Sequence, residues 1–409
     1  MNYNSKKIFE RIIELILQAS SWFTTLIILL IILFLFKEGF SLFHKSSLEE
    51  GSVLVLNKTN ILDKINDTDL KNIFDQNISN WSEIGGQDLA INLFRIDDIS
   101  NYFSDEELGD TLQNMSYCIG KLLDSIPGTI AFVPTSYINP DYINNHPEFT
   151  GKIIDVANIT PIDFFLGKEW LPTAHPVAQM GALPLILGTL WVSLLAILIA
   201  LPLGLSVAIY MSEIANPKIR IFIKPMIELL SGIPSVVLGF FGLVVIVPFI
   251  ENVFKLPVGE TALTGSIVLS IMALPTIITL TDDAIRNTPK TMKESSFALG
   301  ANHWQTIQKV ILPYAFSGIS AAAILGIGRA VGETMAVLMV TGNAAVIPHS
   351  ILEPIRTIPA TIAAELGEAP QNGVHYTALF ALACVLFAMT FIINLLVNFV
   401  GSKNKKSHI

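Results

Sequence analysis

The chain has 409 residues, of which 52% are hydrophobic and only 14% are charged. A soluble domain carries about 25% charged residues, so this composition excludes an ordinary soluble protein. The formal net charge of −9 is concentrated in residues 44–180, which hold 20 acidic and 8 basic side chains, while the rest of the chain is slightly basic. Because nucleic-acid binding needs a basic surface, the sequence predicts no nucleic-acid partner.

The sequence lacks the patterns of a disulfide, a metal site or a nucleotide-hydrolysing site. Cys118 lies in the acidic segment and Cys384 in the last apolar run, so no disulfide is predicted. The histidines have no metal-ligand spacing, and no Walker loop is found. We therefore expect no metal, no cofactor and no enzymatic activity in this chain.

Several apolar runs approach or exceed about 20 residues, which is enough to cross a membrane. They predict an α-helical polytopic membrane protein with six spans, at residues 21–43, 183–211, 221–250, 263–282, 314–340 and 376–400. The first run is too long for a cleavable signal peptide and lacks a small-residue cleavage site, so it is expected to remain as an anchor.

Lysine and arginine residues predict the orientation, because basic residues favour the cytoplasmic side. They cluster before span 1, between spans 2 and 3, between spans 4 and 5, and in the tail, residues 401–409. Both termini are therefore predicted to be cytoplasmic, and the acidic segment is predicted to lie outside.

The acidic segment, residues 44–180, is long enough to bury a core of its own. Strands are predicted at 51–56, 89–96 and 128–134, with helices at 67–76 and 105–124. Alternating strands and helices predict a small α/β domain inserted between spans 1 and 2.

The longest predicted cytoplasmic connection, residues 284–313, contains the stretch ESSFALGANHWQTIQKVILP, from Glu294 to Pro313. It predicts two short helices, 294–299 and 303–311, separated at Gly300, which tolerates backbone conformations that other residues avoid. Pro313 is expected to begin span 5. Such a bent, protruding segment is suited to contact with a cytoplasmic partner.

The spacing of this stretch resembles the EAA loop of permeases in binding-protein-dependent ABC importers, whose pattern is Glu-Ala-Ala, three residues, Gly, nine residues, Ile-x-Leu-Pro. The matching positions are Glu294, Ser295, Ser296, Gly300, Val310, Leu312 and Pro313. Serines replace both alanines and valine replaces isoleucine. The resemblance implies a type I ABC importer permease domain over residues 181–400, whose loop docks in a cleft of an ATPase subunit. The alternative is an ordinary amphipathic connector.

Gly232, Pro234 and Gly239 interrupt the third predicted span. A break exposes backbone groups, which is tolerated only beside protein or a watery cavity. A helix that restarts near Ser235 would direct N–H groups toward such a cavity, where they could meet an anion. The alternative is that these residues only allow close helix packing.

Arg329 and Glu333 lie four residues apart in the fifth predicted span, so we expect them to share a helix face. A charge at membrane depth costs at least about 2.5 kcal/mol. Arg329 could bind an oxyanion, because its guanidinium matches phosphate geometry, and Glu333 could restrain it. The alternative is a structural ion pair. Thr334, Thr341 and Asn343 are further candidate lining residues.

The stretches MGALPLILGTL (180–190), ELLSGIPSVVLGFFGL (228–243) and GIGRAVGETMAVLMVTGN (326–343) resemble the permeases of phosphate-specific ABC importers, the PstC kind. This resemblance implies ATP-driven import of phosphate through the bacterial inner membrane by alternating access. The implied partners are membrane lipid, a second similar permease, two ATPase subunits and a soluble periplasmic phosphate-binding protein. The alternatives are an ATPase-independent phosphate transporter or channel, and a membrane-anchored phosphate sensor.

Residues 69–97 of the insert resemble a stretch of periplasmic phosphate-binding proteins, with matches that include Trp81 and Arg95. After the arginine those proteins carry Ser-Gly-Thr at a helix start, which holds phosphate. Here Asp97 and Asp98 follow instead. The resemblance implies a shortened lobe that has lost its phosphate-binding residues. The alternative is an unrelated α/β insert.

Overall fold

A computed structural model describes residues 3–49, 51–109, 112–138 and 140–405. The chain divides into two compact units. The membrane unit comprises Met1–Gly39, Ala182–Glu368 and Leu379–Ile409, and the insert domain comprises Phe40–Gly181 with Ala369–Ala378. The insert domain contains the acidic segment, together with Ala369–Ala378, a segment that runs into the start of the last span and that the sequence did not predict.

Six helices among the described residues are long and apolar enough to cross a membrane, which confirms the predicted number. We number these spans 1 to 6: Arg11–His44, Leu183–Ile214, Ser235–Phe254, Ala262–Arg286, His303–Gly332 and Val374–Leu396. The helix of span 1 begins at Tyr3, and the helix of span 6 continues to Lys405. Four further helices lie between spans 2 and 6: Pro217–Gly232, Lys290–Ala298, Met335–Val340 and Ile358–Glu365.

Span 4 forms the centre of the membrane unit. Of the 18 most apolar consecutive residues of span 4, 61% are buried, whereas only 11% of the corresponding residues of span 1 are buried. Glycines allow the neighbouring helices to approach it closely, because a Cβ on Gly204 of span 2 would lie 2.7 Å from Ile277 and a Cβ on Gly318 of span 5 would lie 2.4 Å from Ala284. Spans 2 and 5 therefore pack tightly on span 4.

Spans 1 and 6 pack against each other within the membrane unit. The Cys384 thiol donates a hydrogen bond to the Leu35 carbonyl at 3.3 Å. The rings of Phe34 and Phe380 meet edge to face, with their centroids 5.6 Å apart. Cys118 and Cys384 are both free thiols.

The predicted third span, residues 221–250, is wrong in its first part. The helix Pro217–Gly232, which we call the shelf helix, ends before Ile233, and Ile233 and Pro234 have extended backbones. A proline disfavours the helical conformation of the residue before it and donates no hydrogen bond. A new helix then begins at Ser235, as predicted.

Spans 2, 3 and 5 each contain a π-helical turn: Tyr210–Ile214, Gly242–Ile246 and Ile307–Ile311. In spans 3 and 5 the turn precedes Pro248 and Pro313. A proline inside a helix clashes with the carbonyl four residues earlier, and a wider turn at that carbonyl relieves the clash. The prediction of a separate helix at 303–311 is therefore wrong, because the helix continues through Pro313 into span 5.

The insert domain is built on a five-stranded mixed sheet with strand order β2-β5-β1-β4-β3. Its strands are β1 Ser52–Asn57, β2 Lys64–Ile65, β3 Asn92–Arg95, β4 Thr129–Pro134 and β5 Gly151–Val156. β1 pairs antiparallel with β4 and β5, whereas β3 pairs parallel with β4 and β2 pairs parallel with β5. The remaining strands, β6 Trp170–Leu171 and β7 Gln179–Met180, form a separate pair.

Helices cover both faces of this sheet. Leu54 and Leu56 of β1 point into one core, which includes the helix Asp67–Phe74. Val55 points into a second core, with the helix Met115–Ser125. The predicted α/β class is thus observed, but the sequence did not predict β2 or β5. Further short helices are Asp105–Leu108, Pro140–Asn145 and Pro161–Leu166.

The single helix predicted over residues 105–124 is wrong. The structure has Asp105–Leu108 and Met115–Ser125 instead, while residues 110 and 111 lie outside the described part of the chain. Gly109 has a φ of +79°, a left-handed conformation that ends a helix.

Candidate functional site

The break before span 3 places Ser235 at the first position of a 20-residue span. Pro234 precedes it, and among the described residues no side chain caps this helix end. The first N–H groups of a helix have no partner within the helix, and the helix dipole is positive there. Ser235 itself is half-buried. This end can therefore offer hydrogen-bond donors to an anion.

A second break lies at the end of span 5, and its continuation packs on span 3. A Cβ on Gly239 would lie 2.9 Å from the Ala336 Cα, and one on Gly242 would lie 2.9 Å from the Val340 Cγ1. The contacts advance in the same direction along both helices, so the helices are parallel. The starts of both restarted helices, at Ser235 and Met335, therefore lie at the same end of this pair.

Arg329 and Glu333 do not share a helix face, so that prediction is wrong. The helix of span 5 ends at Gly332, and Glu333 has an extended backbone with a ψ of 132°. No ion pair among the described residues joins the two side chains. Arg329 is exposed, and its Nη1 donates to the Thr276 hydroxyl of span 4 at 3.3 Å. Glu333 is half-buried at the break.

The other predicted lining residues take different positions. Thr334 lines a groove of about 470 Å³ together with Gly332, the helix Ile358–Glu365 and span 6. Neither Arg329 nor Ser235 lines this groove. Thr341 is buried and donates to the Val337 carbonyl at 2.9 Å, so it is not a lining residue. Asn343 donates to the Leu338 carbonyl at 2.6 Å. Ser235, Glu333 and Thr334 thus lie at helix breaks, with Arg329 one helical turn before the second break.

The loop from Lys290 to Ile311 forms a bent segment, which we call the elbow. Its first limb is the helix Lys290–Ala298, and its second limb is the start of span 5. Gly300 lies at the bend with a φ of +84°, and the described residues leave open space where its Cβ would be. The glycine is therefore required for its backbone conformation and not for lack of room.

The outer surface of the elbow is exposed. Glu294 and Ser295 are exposed, and 90% of Leu299 and 54% of Trp304 are accessible to solvent. An exposed apolar patch rimmed by polar residues is typical of a protein-binding surface. The prediction of a protruding elbow that can meet a partner agrees with this geometry.

The elbow is held by one buried hydrogen bond between its limbs and by two exposed hydrogen bonds at the start of its second limb. The Ser296 hydroxyl lies 2.9 Å from the Thr306 hydroxyl, and both side chains are buried. The Asn302 side chain accepts from the Gln305 N–H, and the Gln305 side chain accepts from the Asn302 N–H. Ser296 therefore occupies an alanine position of the family pattern and adds a hydrogen bond between the two limbs. Leu312 and Pro313 lie within the helix of span 5.

Asp282 and Glu213 form ion pairs that were not predicted from the sequence. Asp282, buried near the end of span 4, binds Arg286 at 2.8 Å and Arg220 of the shelf helix at 3.5 Å. Glu213 at the end of span 2 binds Lys293 of the elbow at 2.6 Å. The four-residue spacing of Asp282 and Arg286 is a signal in the sequence, whereas no local pattern connects Glu213 with Lys293, 80 positions away.

Arg95 of the insert domain lies against an aromatic ring and is followed by two acidic residues. A 3₁₀ helix, Ile96–Asn101, follows it, with Asp97 and Asp98 in the first turn. The Arg95 guanidinium lies over the Phe74 ring, 5.3 Å from its centroid. Carboxylates beside a helix start oppose binding of a second anion.

Asp67 of the insert domain is a titratable group whose pKa is shifted by its surroundings. Burial raises its pKa to about 6, the Ser47 hydroxyl partly opposes this rise, and the charge of Asp163 adds to it. Among the described residues neither the Ser47 hydroxyl nor Asp67 Oδ1 reaches hydrogen-bond geometry with a partner. Asp67 lines a groove of about 360 Å³ that also contains Asp163.

Comparison with known proteins identifies relatives of the membrane unit. The family model for the inner membrane component of binding-protein-dependent transport systems matches residues 200–406. A probable ABC transporter permease, YqgH of Bacillus subtilis, is 42% identical over 250 residues, which are 61% of this chain and 81% of the relative. The phosphate transport system permease PstC of Mesorhizobium japonicum is 37% identical over 249 residues, which are 56% of this chain and 75% of the relative.

Among solved structures, an inward-facing form of the MetNI methionine ABC transporter aligns with a TM-score of 0.42 and 21% identity, covering 55% of this chain and 94% of that chain. The family assignment rests on the match of the family model to half of the chain and on relatives that are covered over three quarters of their length or more. This chain therefore belongs to the family of inner membrane components of binding-protein-dependent transport systems.

Proposed function

We propose that this chain is the permease subunit of an ATP-driven phosphate importer. The observation that supports this most strongly is the 37% identity to a phosphate transport system permease over three quarters of that relative's length. The exposed elbow adds support, because it offers an apolar surface for a partner that hydrolyses ATP. ATP hydrolysis would take place in that partner, and this chain would provide the path through the membrane.

The complete importer would contain this chain, a second similar permease, two ATPase subunits and a soluble phosphate-binding protein. The shelf helix supports a further membrane partner, since Ile221, Phe222 and Leu229 on it are mostly exposed. Lipid or a second permease would cover these side chains. In the bacterial inner membrane both termini and the elbow would face the cytoplasm, and the insert domain would face the periplasm, as the basic residues predict.

Phosphate would pass the two helix breaks by alternating access. The Ser235 hydroxyl and the N–H groups of Ser235 and Val236, which have no partner among the described residues, would donate to a phosphate oxygen. Arg329 would supply a fork of donors, since its one described hydrogen bond, to Thr276, leaves other donors unused. Glu333 would limit how tightly phosphate is held, and Thr334 would line the path beside it. Motion of the elbow would change which side of the membrane these residues face.

The insert domain would act at the outer mouth of the importer. Its sequence resembles a phosphate-binding lobe, but Asp97 and Asp98 follow Arg95 where the donors of such a lobe are expected. We therefore propose that it offers a docking surface to the soluble binding protein, or a cap over the path, and does not bind phosphate itself.

Purification of the tagged chain from membranes, with its neighbours co-expressed, tests this function. We expect an ATPase to co-purify, and we expect ATP hydrolysis in liposomes to rise when the phosphate-loaded binding protein is added. Phosphate transport without any ATPase would instead favour a secondary transporter or channel. Binding of phosphate without transport would favour a sensor.

A further inference from the structure

Glu213 connects the end of span 2 to both limbs of the elbow. Its carboxylate Oε1 lies 2.6 Å from Lys293 Nζ on the first limb, and its side chain is only 7% exposed, against 22% for that of Lys293. Its backbone carbonyl lies 3.0 Å from His303 Nε2, at the start of the second limb. Glu213 itself belongs to the π-helical turn that ends span 2.

Contacts at the bend join the two limbs to each other. Besides the buried contact between Ser296 and Thr306, the rings of Phe297 and His303 stack with centroids 6.1 Å apart and planes 5° from parallel. Gly300 fixes the bend between them. A displacement of the exposed elbow surface therefore moves Lys293 and His303 together.

Span 2 differs from spans 4 and 5 in how it is attached to the elbow. The chain itself leads from span 4 into the first limb and from the second limb into span 5. Span 2 has no such connection, since the shelf helix follows it in the chain. Among the described residues Lys293 forms no other ion pair, so the contact with Glu213 is the charged link between span 2 and the first limb.

We propose that Glu213 is a positioning residue that transmits elbow motion to span 2, so that spans 2, 4 and 5 move as a unit when the ATPase acts. The inference rests on the proposed function. It assigns a coupling role to a residue outside the loop motif, through an ion pair shielded from water, where charges interact strongly. The partner is Lys293, one position before Glu294 of the motif.

The test uses the complete importer in liposomes and measures phosphate uptake per ATP hydrolysed, normalised to assembled complex. We expect Glu213→Gln and Lys293→Glu each to lower this ratio at least about tenfold, while hydrolysis stimulated by the binding protein continues. The exchange Glu213→Lys with Lys293→Glu should restore most of the ratio, because the pair is re-formed with opposite polarity. If Glu213 had only a structural role, its substitution would reduce the amount of assembled complex and leave the ratio of uptake to hydrolysis unchanged.

Lys290→Glu is the matched control, because Lys290 is an exposed lysine of the same helix with no ion pair among the described residues. It should keep the normal ratio. An equal fall of the uptake ratio in Lys290→Glu would show that the total charge of the elbow matters and that the ion pair between Glu213 and Lys293 does not. That result would overturn the proposal. So would an exchange variant that restores neither assembly nor the ratio. If the unmodified importer shows no ATP-dependent uptake, the proposed function fails, whereas normal coupling in Glu213→Gln defeats this inference alone.

Discussion

At the bend of the elbow the polar side chains have partners: buried Ser296 with Thr306, half-buried Lys293 with Glu213, and exposed Asn302 with Gln305. At the helix breaks neither Ser235 nor Glu333 has a side-chain partner among the described residues, and Arg329 and Thr334 each donate a single hydrogen bond of 3.3 Å. A segment that transmits force needs contacts that persist. A path for an ion needs hydrogen-bond donors that are free to bind the ion and that can then release it. The difference between the two regions agrees with their proposed roles.

The bend at Gly300 is the position where a single change should have the largest effect. Gly300→Arg places a side chain in the left-handed region, at a cost of about 1–2 kcal/mol, and disturbs the exposed docking surface. We expect uptake to fall at least about tenfold while the complex inserts and ATP hydrolysis persists. Gly300→Asn is the matched control, because asparagine tolerates this conformation, and it should retain most uptake. Normal uptake in Gly300→Arg would exclude the coupling role of the elbow.

Arg329 tests the opposite region. Arg329→Gln removes the charge but can keep the hydrogen bond to Thr276, so the assembled complex should persist while uptake falls at least about tenfold. Thr276→Val removes that bond and leaves the charge, and we expect it to retain most uptake. Uptake is measured with labelled phosphate, and assembly by the amount of co-purified ATPase. If the Arg329→Gln complex is lost from the membrane, the residue is structural.

The insert domain should affect delivery of phosphate by the binding protein and not the coupling of uptake to ATP hydrolysis. We expect residues 49–173, produced alone, to fold and to show no phosphate binding in a calorimetric titration. Deletion of the domain should weaken stimulation by the binding protein more than it reduces ATPase assembly. Binding with a micromolar Kd would show that the domain is a receptor, and that the acidic residues after Arg95 do not abolish the site.

Asp67 should give the insert domain a modest pH dependence of stability. Its pKa is about 6 in the folded state, above the ordinary value of 3.8. The folded state therefore holds this proton more tightly than the unfolded state, and the resulting contribution to the free energy of unfolding is present at low pH and is lost as the pH rises from about 4 through 6. The loss is on the order of 2–3 kcal/mol above pH 7. Asp67→Asn should therefore raise the Tm at pH 8 and have little effect near pH 4. The control Asp75→Asn, at an exposed position of the same domain, should leave the Tm unchanged at both pH values.

The sequence predicted features that depend on local chemistry. The restart at Ser235 follows from Pro234, and the bend at Gly300 follows from the glycine within a helix-forming stretch. The break after Gly332 was missed, because no proline marks it and the apolar residues on both sides read as one span. The strand β5 was missed because Lys152 and Asp155 interrupt its short apolar run. Contacts between distant positions, such as Glu213 with Lys293, leave no local pattern at all.

Phosphate uptake into liposomes tests most directly whether this chain carries phosphate through the membrane at the expense of ATP hydrolysed by a partner. The complete importer is reconstituted with ATP enclosed on the elbow side and phosphate-loaded binding protein on the other. We expect accumulation of phosphate that requires ATP and is lost in Gly300→Arg. Uptake that is equally fast without ATP, or equal uptake by the Gly300→Arg importer, would contradict this expectation.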